Sequence, residues 1–275
     1  MIPAAVPVTV PVLTLVPFAL YSLAAALIVR AALRGAESSP RAALLAALLA
    51  VGMHTWLLFG VIRHGQGYAL TIADSASLVG WVIGTTTLVA LPFPGLRAIP
   101  AVLFVLAGLL GLNADWPRAF HAVVPPAWEL KAHIALSMLA FGWLAIGAVL
   151  VVLSAIVDRR LRTRQPLGWT RVLPPMERME RLLFAALAWG FVALTASLFT
   201  GLLFVHDPKA QHLSHLLTLS AAAWALFAVL LYGRWRWGWR GRKALRFTLG
   251  GFGALALAYF GSKFVLEVML GRHWG

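Results

Sequence analysis

Eight apolar stretches follow one another along the chain, at residues 9–33, 41–62, 75–92, 97–113, 131–157, 182–205, 213–233 and 244–270, and the connections between them are short. A helix needs about 20 apolar residues to cross the hydrocarbon core of a bilayer, and backbone inside that core must satisfy its own hydrogen bonds. The pattern therefore predicts an all-α fold, a polytopic membrane helix bundle of about eight transmembrane helices. The stretches around Trp81 and Phe104 are the shortest. No Ser/Gly linker, long polar stretch or solenoid-length repeat breaks residues 1–275, which read as a single transmembrane domain.

Composition excludes a soluble domain: 61% of residues are hydrophobic and 12% charged, against about 25% charged in globular chains. A net charge of +14 would suggest nucleic acid in a soluble protein, but here its placement decides. When alternate loops are assigned to opposite sides, 17 of the 23 Lys/Arg fall on one face, mostly in the segments 159–181 and 234–246. The other face keeps Arg63, Arg118, Lys131, Lys209, Lys263 and Arg272. The positive-inside rule makes the first face cytoplasmic and puts both termini on the outer, periplasmic side. The charge thus reports topology and a lipid bilayer partner, and no nucleic acid. The interleaved Arg234-Trp235-Arg236-Trp237-Gly238-Trp239-Arg240 link is read the same way, as interfacial anchoring to anionic headgroups. No basic residue precedes Arg30, so 9–33 reads as a retained first helix and not a cleaved signal. Cysteine is absent, which removes disulfides, thiolate ligands and thiol redox chemistry.

Histidine points to chemistry at one face. Seven of the eight histidines lie at span borders or in connections, all on the predicted outer side, and the eighth, His54, lies inside the second span. Neutral imidazole is the commonest ligand for transition metals and haem iron. A buried structural histidine bonded to a neighbouring helix is an equal reading of His54. His133 opens a long apolar helix. His206 ends the sixth span, and His212 and His215 share one face at the start of the seventh at spacing i, i+3. Such a pair can hold one small metal ion. Haem takes its axial ligands from opposite faces, so a bis-histidine site needs one of this pair and a partner from another segment, for which His133 is the obvious candidate. Lys263 and Glu267, at i, i+4 in the last helix, either neutralise each other or leave Lys263 to meet a ligand carboxylate.

Several short stretches carry a family resemblance in a specific order: Met53-His54-Thr55 with Ser75-Ala76-Ser77-Leu78-Val79, Ala132-His133-Ile134-Ala135-Leu136-Ser137, Leu173-Pro174-Pro175-Met176-Glu177, Thr200-Gly201-Leu202, His212-Leu213-Ser214-His215, Gly238-Trp239-Arg240-Gly241-Arg242 and Ala258-Tyr259-Phe260-Gly261-Ser262-Lys263. With these the chain resembles the integral-membrane cytochrome c assembly family, most of all its small HemX-like branch with the bacterial proteins of the YpjD type. The resemblance implies a multi-pass protein of the bacterial cytoplasmic (inner) membrane that handles haem, with apocytochrome c or other maturation proteins as possible partners. His133 occupies the position similar to the first outer-face haem histidine of the larger synthetases and haem exporters. Their tryptophan-rich segment is absent, and His212-Leu213-Ser214-His215 stands roughly where it would end. Tyr232 stands where the synthetases carry a histidine, and His273 lies a few residues beyond the position of their last one. These departures weigh against synthetase activity and leave haem binding.

The leading expectation is therefore a haem-binding protein assisting cytochrome c maturation or haem delivery at the outer face. It would hold b-type, non-covalent haem with the iron reached by His133 and His215, and His54, His206, His212 and Lys263 nearby. Two other classes stand beside it: a non-catalytic regulator of haem biosynthesis working through the basic segment 158–181, and a divalent-metal transporter using His206, His212 and His215. The transporter is the weaker, because transporters place ionisable or broken-helix sites near the midplane and His54 alone is thin provision.

The topology is testable in this cysteine-free background with an impermeant thiol reagent. Ala210→Cys should label from outside and Arg164→Cys should not; the reverse pattern would move every histidine to the other face.

Overall fold

The computed structural model describes residues 9–35, 40–63, 71–96, 98–112, 128–164, 166, 168–204 and 214–264, with only the backbone at some helix ends. The described residues are helical apart from turns and short connections, and they contain no strand. The chain forms two compact units, Met1–Val123 and Val124–Gly275.

The first unit holds α1 (Thr9–Leu33), α2 (Arg41–Arg63), α3 (Ile72–Ala90) and α4 (Ile99–Leu110). The second holds α5 (Trp128–Arg162), a short 3-10 turn at Gly168–Val172, α6 (Met176–Phe204), α7 (Ser214–Trp237) and α8 (Arg242–Ala256). A π turn at Leu257–Gly261 and a last helical turn at Ser262–Phe264 extend α8. Seven of these helices, α8 with its extension among them, are long and apolar enough to cross a membrane. The protein is thus a multi-pass membrane protein with an all-α fold. The fourth apolar stretch differs: α4 has twelve residues, about 18 Å at 1.5 Å per residue, against about 30 Å of hydrocarbon. Pro100 sits in its first turn and Gly111 at its C-cap, which are the residues that start and stop helices.

Other boundaries move for identifiable reasons. α3 begins three residues before the expected position because Thr71 and Asp74 form a capping box. The Thr71 hydroxyl oxygen accepts from the Asp74 N–H at 3.1 Å, and the Asp74 carboxylate accepts from the Thr71 N–H at 3.1 Å. α6 starts directly after Pro174-Pro175 and carries Glu177 in its first turn, where a carboxylate suits the helix dipole. α7 runs past its apolar part to Trp237, where Gly238 at φ +65° closes it. The Gly238 N–H donates to Arg234 O, the bond of an αL-type stop, and the Trp239 N–H donates to Gly233 O. Trp239 then folds back over Gly233, where a side chain would collide with its ring.

Small residues set how closely helices approach, as expected where apolar burial gives little drive between helices. In the second unit, Leu187 of α6 fills the space beside Gly147 of α5, and Leu144 of α5 fills that beside Gly190 of α6. In the first, Gly80 of α3 lies against the Ala107 carbonyl of α4, and Gly84 leaves room for the Tyr21 ring and hydroxyl of α1. Tyr21 is fully buried and stacks on Phe104 of α4, with centroids 5.7 Å apart. Outward faces are apolar, with Leu49, Trp189 and Leu202 all exposed.

The Tyr21 niche yields a prediction. Gly84→Ala should lower the thermal unfolding midpoint in detergent, at a cost of about 1–3 kcal/mol for overpacking. Adding Tyr21→Phe, which deletes the hydroxyl nearest the new methyl group, should recover part of the loss. A Gly84→Ala protein as stable as the parent would sink this account of the packing.

Candidate functional site

The two histidines with described side chains belong to different units and stand in opposite chemical situations. His54 on α2 is 2% exposed. Its Nε2 lies 2.9 Å from Ser77 Oγ on α3, and its Nδ1 3.4 Å from Tyr21 Oη on α1. Both ring nitrogens are thereby occupied, and the imidazole ties three helices together. Sequence reading singled out Met53-His54 and Ser75-Ala76-Ser77 side by side but gave no role to Tyr21.

His133 is half-buried near the start of α5. Its Nδ1 lies 3.0 Å from Thr200 Oγ1 on α6. The Thr200 hydroxyl also lies 3.0 Å from Ala196 O and 2.9 Å from Ser197 O of its own helix. With its proton on those carbonyls, the threonine oxygen accepts from His133 Nδ1, and Nε2 is the unprotonated nitrogen. A histidine whose far nitrogen is held by a hydroxyl, carbonyl or carboxylate is the usual arrangement of a metal-ligating imidazole.

The same logic runs one turn further along both helices. Ser137 donates to the His133 carbonyl at 2.8 Å, so the 2.7 Å contact between Ser137 and Ser197 has Ser197 as donor. Four polar side chains therefore form one directed network between α5 and α6. Gly201 completes it: a Cβ there would meet His133 Cε1 at 3.1 Å. Thr200 fixes the nitrogen and Gly201 leaves space for the ring. Sequence reading quoted Thr200-Gly201 and Ser137 only as parts of a resemblance, and it missed Ser197. Pairing across 60 and 67 residues leaves no local signal.

Lys263, only 8% exposed, lies in the last described turn with its ammonium over the Tyr259 ring at 5.4 Å. The π turn that precedes it, a feature often found at functional sites, brings Tyr259 and Phe260 against Phe141 of α5, with centroids 5.6 and 5.4 Å apart. His133 precedes Phe141 by eight residues and Lys263 follows Phe260 by three. On antiparallel helices these offsets, about 12 and 5 Å, run towards the same end of the unit. His215 is the second residue of α7. It precedes Trp224 by nine residues, and the Trp224 indole N–H donates to Thr195 Oγ1 of α6 at 2.9 Å. Its backbone thus stands about 14 Å along α7, at the end where Thr200 also lies. His206, His212, Glu267 and the remaining histidines lie outside the described residues. Among the described residues no three His, Cys, Asp or Glu side chains gather as a metal cluster.

Comparison with known proteins gives the wider setting. Residues 41–270 match the family model described as Cytochrome C assembly protein. The chain is similar to the inner membrane protein YpjD of Escherichia coli strain K12, with 31% identity over 262 residues, 94% of this chain and 99% of that protein. A 28.8 kDa protein of Azospirillum brasilense is 34% identical over 149 residues, 54% of this chain and 55% of that protein. The cytochrome c biogenesis protein CcsA of Prochlorococcus marinus is 25% identical over 209 residues, 64% of this chain and 62% of that protein. No solved structure matches the chain significantly.

The tautomer can be read directly. In protein labelled with 15N-histidine, the His133 signals, assigned by their loss in His133→Asn, should show a protonated Nδ1 and a bare Nε2. Thr200→Ser should keep that pattern and Thr200→Val abolish it. An Nε2-protonated ring in the parent protein would contradict the network.

Proposed function

Because the chain belongs to the cytochrome c assembly protein family, with the family match running over residues 41–270, we propose that it binds haem non-covalently at the His133 end of its second unit and assists cytochrome maturation or haem delivery there. The observation that carries this reading is the Thr200-anchored imidazole, which presents an unprotonated Nε2 beside a helix face kept clear by Gly201.

The residues present fit such a group. Haem needs an imidazole of fixed tautomer, an apolar and aromatic surround and cations for its propionates. His133 supplies the first, Phe141, Tyr259 and Phe260 offer the second, and Lys263 places an ammonium at the same end of the unit. His215, at the start of α7, would be the second residue to hold the iron. Bound there, the iron porphyrin would supply the cargo for an acceptor protein. The residues of this chain would hold it, orient it and keep water from the iron. With no cysteine, the chain has no thiol to form a thioether with haem, so the binding would be reversible. Apocytochrome c or another maturation protein is the partner that this role requires.

The test is the visible spectrum of the detergent-purified protein. The expectation is a Soret band with paired α and β bands, lost in His133→Ala, weakened about tenfold in occupancy by Thr200→Val as for removal of an outer-shell partner, and altered more by His215→Ala than by His212→Ala. A colourless protein that carries zinc or copper through His212 and His215 would replace this reading with a two-histidine metal site.

A further inference from the structure

A groove of about 870 Å³ runs along the first unit between α1 and α4, within the usual ~300–1,000 Å³ of small-molecule sites. Its α1 side is Ser22, Ala25, Ala26 and Val29, at spacings that keep one helix face, and its α4 side includes Val102 and Val105. The small α1 residues form the floor, and half-exposed Leu33, Val102 and Val105 open it sideways to the bilayer. At one end the lining changes character: Arg30 and Arg34, one turn apart on α1, both border the groove. Both are exposed, and among the described residues neither makes an ion pair.

We propose that this groove is a binding site for one anionic diacyl phospholipid, with its phosphate on Arg30 and Arg34 and an acyl chain along Ala26 and Val105. Three observations point to that occupant. The residues from Ser22 to Arg34 span twelve steps of α1, about 18 Å, which matches one leaflet of a core about 30 Å thick plus its headgroup layer. The lining of α1 and α4 between the cations and Ser22 is apolar and small or β-branched apart from Leu33, the surface that an acyl chain covers. The cations sit at the end of α1 with the cytoplasmic-type charge bias, where the anionic lipids of the membrane meet polybasic protein surfaces. Arginine is suited to the task, since its planar fork bonds phosphate oxygens bidentately. This site lies outside the His133 network and does not depend on haem.

The experiment is native mass spectrometry of the full-length protein released from detergent with equimolar phosphatidylglycerol and phosphatidylcholine. One phosphatidylglycerol should be retained in preference to phosphatidylcholine. The double variant Arg30→Gln/Arg34→Gln should lower that preference by about tenfold, the scale of two cations near a headgroup. Ala26→Trp, which fills the floor while leaving the charges, should lower retention of both lipids. Arg164→Gln/Arg171→Gln, on another part of the basic face, should change neither. Equal retention of the two lipids by the parent protein, an undiminished preference in Arg30→Gln/Arg34→Gln, parent-like retention in Ala26→Trp, or an equal loss in Arg164→Gln/Arg171→Gln would each overturn the proposal. Loss of haem in place of lipid from the Arg30/Arg34 variant would do so as well.

Discussion

Within a bilayer no water is at hand to satisfy a polar side chain, so every such group between helices must be completed by another helix. The structure depends on this constraint in both units, and it has two different outcomes. Around His54 the completion is symmetrical: Ser77 takes one nitrogen and Tyr21 approaches the other, and the result is a buried tie among α1, α2 and α3. Around His133 the completion stops halfway. Thr200 secures Nδ1 while its hydroxyl also bonds back to its own helix. Among the described residues His54 thus has a side-chain partner on each ring nitrogen and His133 on one.

Glycine makes both arrangements possible. Tyr21 reaches His54 only because Gly84 leaves a niche for its ring, and the His133 ring fits beside α6 only because Gly201 lacks a Cβ. In a bundle held by close packing and not by apolar burial, these vacancies act as specificity devices: they define where a large polar side chain fits and in which rotamer. The Leu187 to Gly147 and Leu144 to Gly190 pairs apply the same rule with apolar side chains and lock α5 to α6 below the His133 network.

The helices themselves were legible, since hydropathy over 18 or more residues is a local property; seven of the eight expected stretches are span-length helices. Their ends were less so. The start of α3 was written in Thr71 and Asp74, a capping box that apolar periodicity overlooks, and the overlong α5 arises because Asp158, Arg159, Arg160 and Arg162 extend a helix into the aqueous layer as well as any loop would. His133 was legible from its place at the head of a long apolar helix and from family resemblance. Thr200, Ser197 and Tyr21 were not, because their roles come from contacts across 67, 60 and 33 residues that leave no trace in local pattern. The groove beside Arg30 was hidden for the same reason: its walls are residues of α1 and α4 that lie about 70 positions apart in the chain.

Single helices of the second unit carry the separation between chemistry and charge. On α5, His133 and Arg159 stand 26 residues apart, a rise of about 39 Å that exceeds the roughly 30 Å hydrocarbon thickness. On α7, His215 and Arg234 stand 19 residues apart, about 28 Å, and on the α8 segment Lys243 and Lys263 stand 20 apart, about 30 Å. Three of the four spans of one compact unit thus put the histidine or buried lysine at one end and the basic cluster at the other. If these helices cross the membrane, the imidazole network and the Arg-rich loops must face opposite compartments whatever the orientation of the whole chain. The positive-inside rule is then needed for one decision only, which compartment is which, and it assigns the Arg-rich ends to the cytoplasm. Under that rule the His133 end of the unit would be the outer one.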